Sequence, residues 1–142
     1  MLQIDYLVLA DAAAAAEGKH YIHGAGWDTL LAGNFPAVHP ALSVAVRLRI
    51  PWSDTNQEHM LELDVIDADG KSILPETQGP LRMPFAIGRP AAVPTGTDQV
   101  VPLVFNFQRL QFASPGTCAV VMRISGEDMA RSPFHVRAAP GR

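Results

Sequence analysis

Residues 42–50 read Leu-Ser-Val-Ala-Val-Arg-Leu-Arg-Ile, and a large apolar side chain occupies every second position of this stretch. This period of two is typical of a β-strand with one face on a core and the other in water, because successive side chains of a strand point to opposite sides. Shorter copies of the alternation recur along the chain between turn signals. The pattern therefore predicts an all-β protein.

The other segments extend this prediction to an antiparallel β-sandwich of about seven or eight strands, immunoglobulin-like in general architecture, with a small β-barrel as the alternative. No segment shows a convincing amphipathic helical period. The predicted strands are 4–14, 19–27, 42–50, 58–66, a short one at 83–87, 99–112, 118–124 and a last one around 134–136. The core is predicted to contain Val8, Ile22, Val44, Val46, Leu48, Leu61, Leu63, Leu103, Phe105, Phe107, Val120, Met122 and Phe134.

Three local predictions concern how these strands connect. Residues 28–41, rich in turn residues, are predicted to form a crossing loop before the 42–50 strand. We expect 42–50 and 58–66 to join as a hairpin, with Arg47 and Arg49 beside the acidic side chains of the second strand, Glu62 and Asp64. The first strand, which runs into five consecutive alanines, is expected to be buried on both faces.

The apolar phase of the 99–112 strand changes after Phe107, and a β-bulge near Gln108–Arg109 would produce that change. The whole chain, 1–142, is predicted to be a single β-sandwich domain. Its proline-rich segment 71–98 is the irregular part, and such segments commonly carry function.

Composition excludes several classes of partner. With 48% apolar and 18% charged residues and a formal charge of −3, the chain is not disordered and has no basic tract for nucleic acid or an anionic membrane. A single cysteine, Cys118, rules out an intrachain disulfide and is expected to be a buried thiol. The apolar run 4–16 is interrupted by Asp5 and Asp11 and makes a poor signal peptide, so we expect a cytoplasmic protein.

Metal binding has weak support in the sequence. The Asp67-Ala68-Asp69-Gly70 turn fails the EF-hand spacing, because Val65 stands where the first ligand belongs, but a looser calcium site at Asp67 and Asp69 stays a hypothesis. His20 and His23 are three positions apart and therefore lie on opposite faces of a strand. No paired metal-ligand spacing occurs, and no cofactor is expected.

Catalytic motifs are also absent from the sequence. There is no Gly-x-Ser-x-Gly elbow and no phosphate-binding glycine loop, and Cys118 lies inside a predicted strand. The sequence therefore favours a protein that is not an enzyme. A catalytic site assembled from loop residues that meet only in the fold stays open, because sequence cannot show such meetings.

Binding residues are predicted on loops. Trp52 lies in the polar loop Pro-Trp-Ser-Asp-Thr-Asn, where Asp54 and Asn56 accompany it, and together with Arg89 of the proline-rich segment it is predicted to form a recognition surface. Trp27, beside a glycine-rich turn, is a second candidate anchor, although tryptophans next to turns more often cover the end of a core.

The order of motifs resembles a family of small bacterial proteins with no assigned function. The resemblance lies in Asp5-Tyr6-Leu7-Val8-Leu9-Ala10-Asp11, Glu17-Gly18-Lys19, Gly24-Ala25-Gly26-Trp27-Asp28 and Arg49-Ile50-Pro51-Trp52, and it extends over most of the chain. It implies a stand-alone β-sandwich domain and supplies no catalytic residue. The final hairpin is also similar to the closing strands of immunoglobulin-like modules, without the Cys and Trp hallmark of antibody domains.

Two functions remain open at this point. The first is an interaction or structural module that binds another protein or itself through its loops, a sheet edge or homo-oligomer contacts. In this reading Trp52→Ala abolishes binding without unfolding the protein. The second is a small-ligand or metal-dependent binding protein or enzyme, which a matching ligand would stabilise against heat.

Overall fold

The computed structural model describes residues 1–140, and nine β-strands dominate them. The strands are β1 (Gln3–Ala16), β2 (Lys19–Ala25), β3 (Thr29–Ala32), β4 (Ala37–Ile50), β5 (His59–Ile66), β6 (Leu81–Phe85), β7 (Gln99–Phe112), β8 (Gly116–Ile124) and β9 (Glu127–Ala138). One short 3-10 turn, Trp52–Asp54, lies between β4 and β5.

The strands form two sheets packed against each other, which confirms the predicted all-β sandwich. The first sheet has the order β2-β1-β4-β7, and the second has the order β3-β9-β8-β5-β6. All neighbours are antiparallel except β3 and β9, which run parallel. The structure has one strand more than the eight predicted. The additional strand is β3, a segment of four residues whose sequence has no alternation of apolar and polar side chains.

The core lies between the two sheets and begins at the stretch that predicted the fold. The alternate residues of β4 that face inward are at most 1% exposed: Leu42, Val44, Val46, Leu48 and Ile50. They pack against inward side chains of β5, β8 and β9, among them Leu63, Val120, Met122 and Phe134. Four predicted core members are only half-buried: Val8, Ile22, Leu103 and Phe105.

The predicted crossing loop over residues 28–41 is wrong. Thr29–Ala32 is strand β3, and β4 begins at Ala37. The short β3 exists because it pairs with β9, with Leu30 opposite Val136, and such a long-range pairing leaves no local pattern. Pro40 lies within β4 despite having no N–H to donate.

The predicted hairpin between 42–50 and 58–66 is also wrong, because β4 and β5 belong to different sheets. Arg47 and Arg49 both contact the carboxylate of Asp5 on β1. Glu62 of β5 instead accepts hydrogen bonds from Arg82 of β6 and from Arg123 of β8. Opposite charges on two strands therefore did not show that the strands are neighbours in a sheet.

The hairpin of β1 and β2 is strongly bent. His20 lies opposite Ala15, so in a straight hairpin it would stand about 30 Å from Tyr6. Instead, Tyr6 Oη lies 2.6 Å from His20 Nδ1, and His20 Nε2 lies 2.9 Å from the carbonyl oxygen of Leu103 in β7. The hairpin therefore returns to the first sheet rather than extending from it.

The two strands of this hairpin approach closely at Gly24, where φ is +68° and an added Cβ would collide with the side chain of Asp11. The expected burial of β1 on both faces holds for Leu9 and Ala10 but is wrong for the alanine tract, whose members are mostly exposed. The tract is exposed because, among the strands of residues 1–140, β2 alone pairs with it.

The predicted change of phase in β7 is confirmed, but a one-strand bulge is wrong. Phe107 and Leu110, three positions apart, are both buried, and Arg109 between them has a φ of +57°. The register nevertheless continues without a shift, from Ala41 opposite Gln108 to His39 opposite Leu110. The two strands therefore change phase together.

The segment 71–98 is irregular apart from β6, which confirms the predicted short strand two residues earlier than expected. Its first residues continue the edge of the second sheet, since Ser72 bridges to Ile66 and the amide of Ile73 donates to the carbonyl of Val65. The edge of the second sheet beyond β5 is therefore built from residues 72–85.

Candidate functional site

The structure brings together Trp52 and Arg89, two members of the predicted recognition surface. The Arg89 guanidinium lies 4.0 Å from the centre of the Trp52 ring. Its Nη2 donates to the carbonyl oxygen of Trp52 at 2.8 Å, and its Nε donates to Thr55 Oγ1 at 2.5 Å. These contacts tie the loop after β4 to the proline-rich segment.

Asp54 and Asn56 lie in the same loop and make local contacts. The Asp54 carboxylate contacts the ammonium group of Met1, and its carbonyl oxygen lies 3.0 Å from His59 Nε2. The amide of Asn56 donates to the carbonyl oxygen of Ile87 at 2.8 Å, while its side chain is exposed. The polar groups of this loop therefore fix its shape.

Trp27 does not join this surface. Its indole Nε1 donates to the carbonyl oxygen of Gly24 at 2.7 Å, and its ring packs against the core cluster that contains Leu42 and Phe134. Ile87, beside Arg89, packs instead against the cluster of Leu48 and Ile50. Trp27 thus covers part of the core, as tryptophans beside turns commonly do.

The predicted metal residues Asp67 and Asp69 serve a turn. Asp67 Oδ1 accepts hydrogen bonds from the amides of Asp69 and Lys71, at 2.9 Å and 3.0 Å, and the Asp69 side chain is exposed. Among residues 1–140, no group of three or more His, Cys, Asp or Glu side chains is placed to hold a metal ion. His20 and His23 alternate between a half-buried and an exposed position, as predicted for opposite faces.

Cys118 is a buried free thiol, and burial raises its pKa. A raised pKa leaves less thiolate, which is the nucleophilic form. The geometry of Cys118 therefore fits a core residue.

The edge of the first sheet formed by β7 is not evident from the sequence. This strand of 14 residues pairs with β4 along its whole length, from Gln99 opposite Ile50 to Phe112 opposite Ala37. Within residues 1–140, no strand pairs with its other side. Among the described residues, the one hydrogen bond to its backbone from outside that ladder comes from His20, at Leu103.

The chemistry of β7 is unusual for an edge strand. From Gln99 to Gln108 it carries no charged side chain, and Pro102 is its one residue without an N–H. Edge strands are commonly protected from pairing by charges, prolines, bulges or short length. β7 has only the proline among these protections along that stretch, and it is long.

The side chains of β7 that face the core are less buried than their neighbours. Val44 and Val46 of β4 have no exposed surface, whereas Phe105 and Leu103, which lie opposite them, are half-buried. The same difference occurs in the second sheet, where Met83 of β6 is half-buried opposite the buried Leu61. The apolar interior is therefore partly open along both edges.

These two edges lie on the same side of the sandwich. The side chain of Gln99, at the start of β7, donates to the carbonyl oxygen of Gly88, just beyond β6. Further along, a gap of about 200 Å³ lies between residues 73–78 and residues 106–111. We call this region, between the edge of β7 and the edge formed by residues 72–85, the open seam.

Charges lie at the ends of the β7 edge rather than along it. On β4, Arg49 bonds Asp5 and lies 3.7 Å from Asp98, the residue before β7. The hydrogen bond from Arg49 holds the pKa of Asp5 below its ordinary value of 3.8. Arg109, near the other end of β7, makes no ion pair with any group in residues 1–140.

A separate groove of about 430 Å³ lies beside β3 and the start of β4. Leu31 and Val38, which are 64% and 50% exposed, both line it. His39 lines it as well, but the Nε2 atom of His39 is buried and has no hydrogen-bond partner in the described part of the chain. That atom is therefore not on the open surface of the groove.

No helix within residues 1–140 has both the length and the apolar character that a membrane crossing requires.

Comparison with known proteins gives a family but no activity. The model of a family of unknown function, DUF6941, matches residues 5–137. No curated protein matches the chain. Among the solved structures that match is a Pseudomonas fluorescens alkylpurine DNA glycosylase, AlkC, bound to DNA containing an abasic site analog. It has a TM-score of 0.48 and 13% identity, and the match covers 96% of this chain and about 30% of that one.

Proposed function

The chain belongs to DUF6941, a family of unknown function, and we propose that it is a non-enzymatic interaction module that binds an extended strand, from another protein or from a second copy of this chain, along the free edge of β7. The observation that carries this proposal is the edge itself, a strand of 14 residues that within residues 1–140 is paired on one side only and is uncharged from Gln99 to Gln108.

Strand addition satisfies two needs of this edge at once. The outward N–H and C=O groups of β7 gain main-chain hydrogen bonds, which provide affinity in this mode of recognition. Every second side chain of the added strand points into the open seam, where it covers half-buried apolar groups such as Leu103, Phe105 and Met83. We therefore expect the partner segment to alternate apolar and polar residues.

Selection from a display library of random decapeptides, with the full chain as bait, tests this proposal. We expect enriched peptides to have apolar residues at every second position. Binding should slow amide hydrogen exchange in β7. In the variant Val104→Lys, which adds a charge in the middle of the edge, binding should weaken at least tenfold. Tyr21→Lys is the matched control, because Tyr21 is 54% exposed and lies on a different strand.

Three results would contradict the proposal: a selection without binders, binders that protect a different strand, or binders that tolerate Val104→Lys as well as they tolerate Tyr21→Lys. Thermal unfolding of both variants should show that each is folded, so that lost binding reports on the edge.

The contact between Trp52 and Arg89 favours a second surface for the same function. Arg89 bonds Thr55 and the Trp52 carbonyl through Nε and Nη2, its Nη1 makes no hydrogen bond within residues 1–140, and its side chain is exposed. In this version Asp54, Asn56 and Arg89 would contact the partner around Trp52. Trp52→Ala would then abolish peptide binding while the protein stays folded, and unchanged binding would exclude this surface.

The groove beside β3 favours the alternative of a small-ligand protein. Its volume of about 430 Å³ lies in the range of small-molecule sites, and two exposed aliphatic side chains line it. A screen of metabolites and divalent metals by thermal shift tests this alternative. A saturable rise in melting temperature that Leu31→Asp removes would support it, and no shift with any compound would count against it.

The setting of this module is part of the proposal. The single buried cysteine is consistent with a reducing compartment, so we place the protein in the cytoplasm of a bacterium. The β8–β9 hairpin supports an immunoglobulin-like classification of the sandwich. Charge and composition favour another protein, or a second copy of this chain, over nucleic acid or membrane as the partner.

A further inference from the structure

We propose that the strand that pairs with β7 is β7 of a second copy of this chain, so that two first sheets join into one continuous sheet of eight strands. This inference rests on the proposed function, because it uses the same free edge, and it names the partner.

The geometry follows from two-fold symmetry. Two identical antiparallel strands related by a two-fold axis perpendicular to the sheet place one residue opposite its own counterpart, and such a contact closes at two copies. Val104 lies near the middle of β7, and its side chain is on the face of the sheet away from the core, because it lies opposite Ala45 rather than a core-facing residue of β4. The pairing we propose centres on Val104.

In this register apolar side chains meet apolar side chains. Leu103 of each copy lies opposite Phe105 of the other, and Val101 lies opposite Phe107, all on the core-facing side. These side chains extend the apolar interior across the junction, and Leu103 and Phe105 are the half-buried groups that leave the seam open. The pairing therefore covers the surface that the single chain leaves exposed.

Charge complementarity at the two ends fixes this register. Arg109 is the only charged residue of β7, and Asp98 immediately precedes the strand. With Val104 at the centre, Arg109 lies opposite Gln99 of the second copy and beside its Asp98. Asp98 is 45% exposed, and its contact with Arg49 is long, at 3.7 Å. Each dimer thus gains two ion pairs, and no like charges face each other.

Pro102 limits the hydrogen bonds of this ladder without preventing it. A proline in an edge strand is tolerated where its nitrogen faces away from the existing neighbour. On that side it leaves one donor missing per copy, opposite Asn106 of the second copy. The other outward groups of β7 remain available for pairing.

The experiment measures the mass of the full chain in solution by sedimentation velocity across a wide range of concentration. We expect a reversible equilibrium between species of 15.3 kDa and twice that mass. Val104→Lys places two ammonium groups opposite each other at the centre and should leave only the monomer, whereas Tyr21→Lys should dimerise like the wild type.

A charge exchange tests the register. Arg109→Asp should weaken dimerisation by about two- to thirtyfold, since two exposed ion pairs are lost. Asp is tolerated in the left-handed conformation of this position. Arg109→Lys should preserve the dimer, and the double variant Arg109→Asp with Asp98→Lys should restore it.

A monomer at every concentration overturns the self-pairing, and so does a dimer that Val104→Lys leaves intact. If Val104→Lys breaks the dimer but Arg109→Asp does not weaken it, the proposed register is wrong. None of these results decides the proposed function, because peptide selection needs no second copy. If peptides bind β7 of a monomeric chain, self-pairing has failed and strand addition has not.

Discussion

Arg123 joins three strands of the second sheet through one guanidinium. It donates to Glu62 on β5 and to Asp128 on β9, both at 2.8 Å, and its side chain is 23% exposed. It also lies 3.6 Å from the buried Asp64. Such charge-assisted bonds at a partly covered site are stronger than ordinary surface ion pairs.

We therefore expect Arg123→Met to lower the free energy of unfolding by about 1–3 kcal/mol. Arg131→Met is the matched control, because Arg131 is 55% exposed and makes one long contact with Asp128, at 3.5 Å. It should change stability by less than about 0.5 kcal/mol. Urea denaturation of the three proteins measures both effects, and equal losses from the two variants would contradict the assigned role of Arg123.

The same network predicts how stability depends on pH. Hydrogen bonds from Arg123 and Arg82 hold the pKa of Glu62 below its ordinary value of 4.5. A carboxyl whose pKa is lowered by folding adds stability above its unfolded pKa, and this stability is lost as the pH falls through the folded value.

The free energy of unfolding should thus decrease as the pH falls below 4.5, and Glu62→Gln should reduce that decrease. The measurement is urea denaturation at a series of pH values for both proteins. The stability of the Glu62→Gln variant should still decrease, to a smaller extent, below pH 3.8, because Arg49 also lowers the pKa of Asp5. Identical pH profiles for the two proteins would refute the contribution of Glu62.

At the scale of elements, the bent hairpin of β1 and β2 depends on His20. This imidazole hydrogen-bonds Tyr6 of β1 and the backbone of β7, so it holds the end of the hairpin against the first sheet. His23, three residues later, is exposed and makes no hydrogen bond in the described structure. The two histidines form a natural pair for comparison.

His20→Ala should lower the free energy of unfolding by about 1–2 kcal/mol, because two hydrogen bonds are lost at a half-buried site. Amide exchange in residues 12–22 should become faster, because the hairpin is released from β7. His23→Ala should leave both the stability and the exchange rates near wild-type values. Equal exchange in the two variants would show that His20 does not hold the hairpin.

At the scale of the whole molecule, the sequence predicts strands far better than sheets. The alternation in 42–50 and 58–66 identified both segments as strands, because successive side chains of a strand point to opposite faces. The expected wet faces are nevertheless partly covered, since Ser43, Ala45 and Asp64 are buried. It carried no information on which strands are neighbours. Arg47 and Arg49 are opposite in charge to Glu62 and Asp64, and equally to Asp5. Charge alone therefore predicted the wrong neighbouring strand.

The free edge of β7 could not be predicted from the sequence for the same reason. Residues 99–112 were identified as a strand, but being an edge is a property of the assembled sheet. Only the structure shows that β4 lies on one side of β7 and that no strand within residues 1–140 lies on the other. One signal was present in the sequence: a run of ten uncharged residues from Gln99 to Gln108 with strand-forming side chains.

The central claim is that β7 is an open edge that accepts another strand. Site-resolved amide hydrogen exchange, at low and at high concentration of the full chain, tests it most directly. At low concentration, outward amides of β7 such as that of Val104 should exchange much faster than those of the central strand β4, and at high concentration they should become protected. Amides of β7 that are as protected as those of β4 at every concentration would contradict the claim.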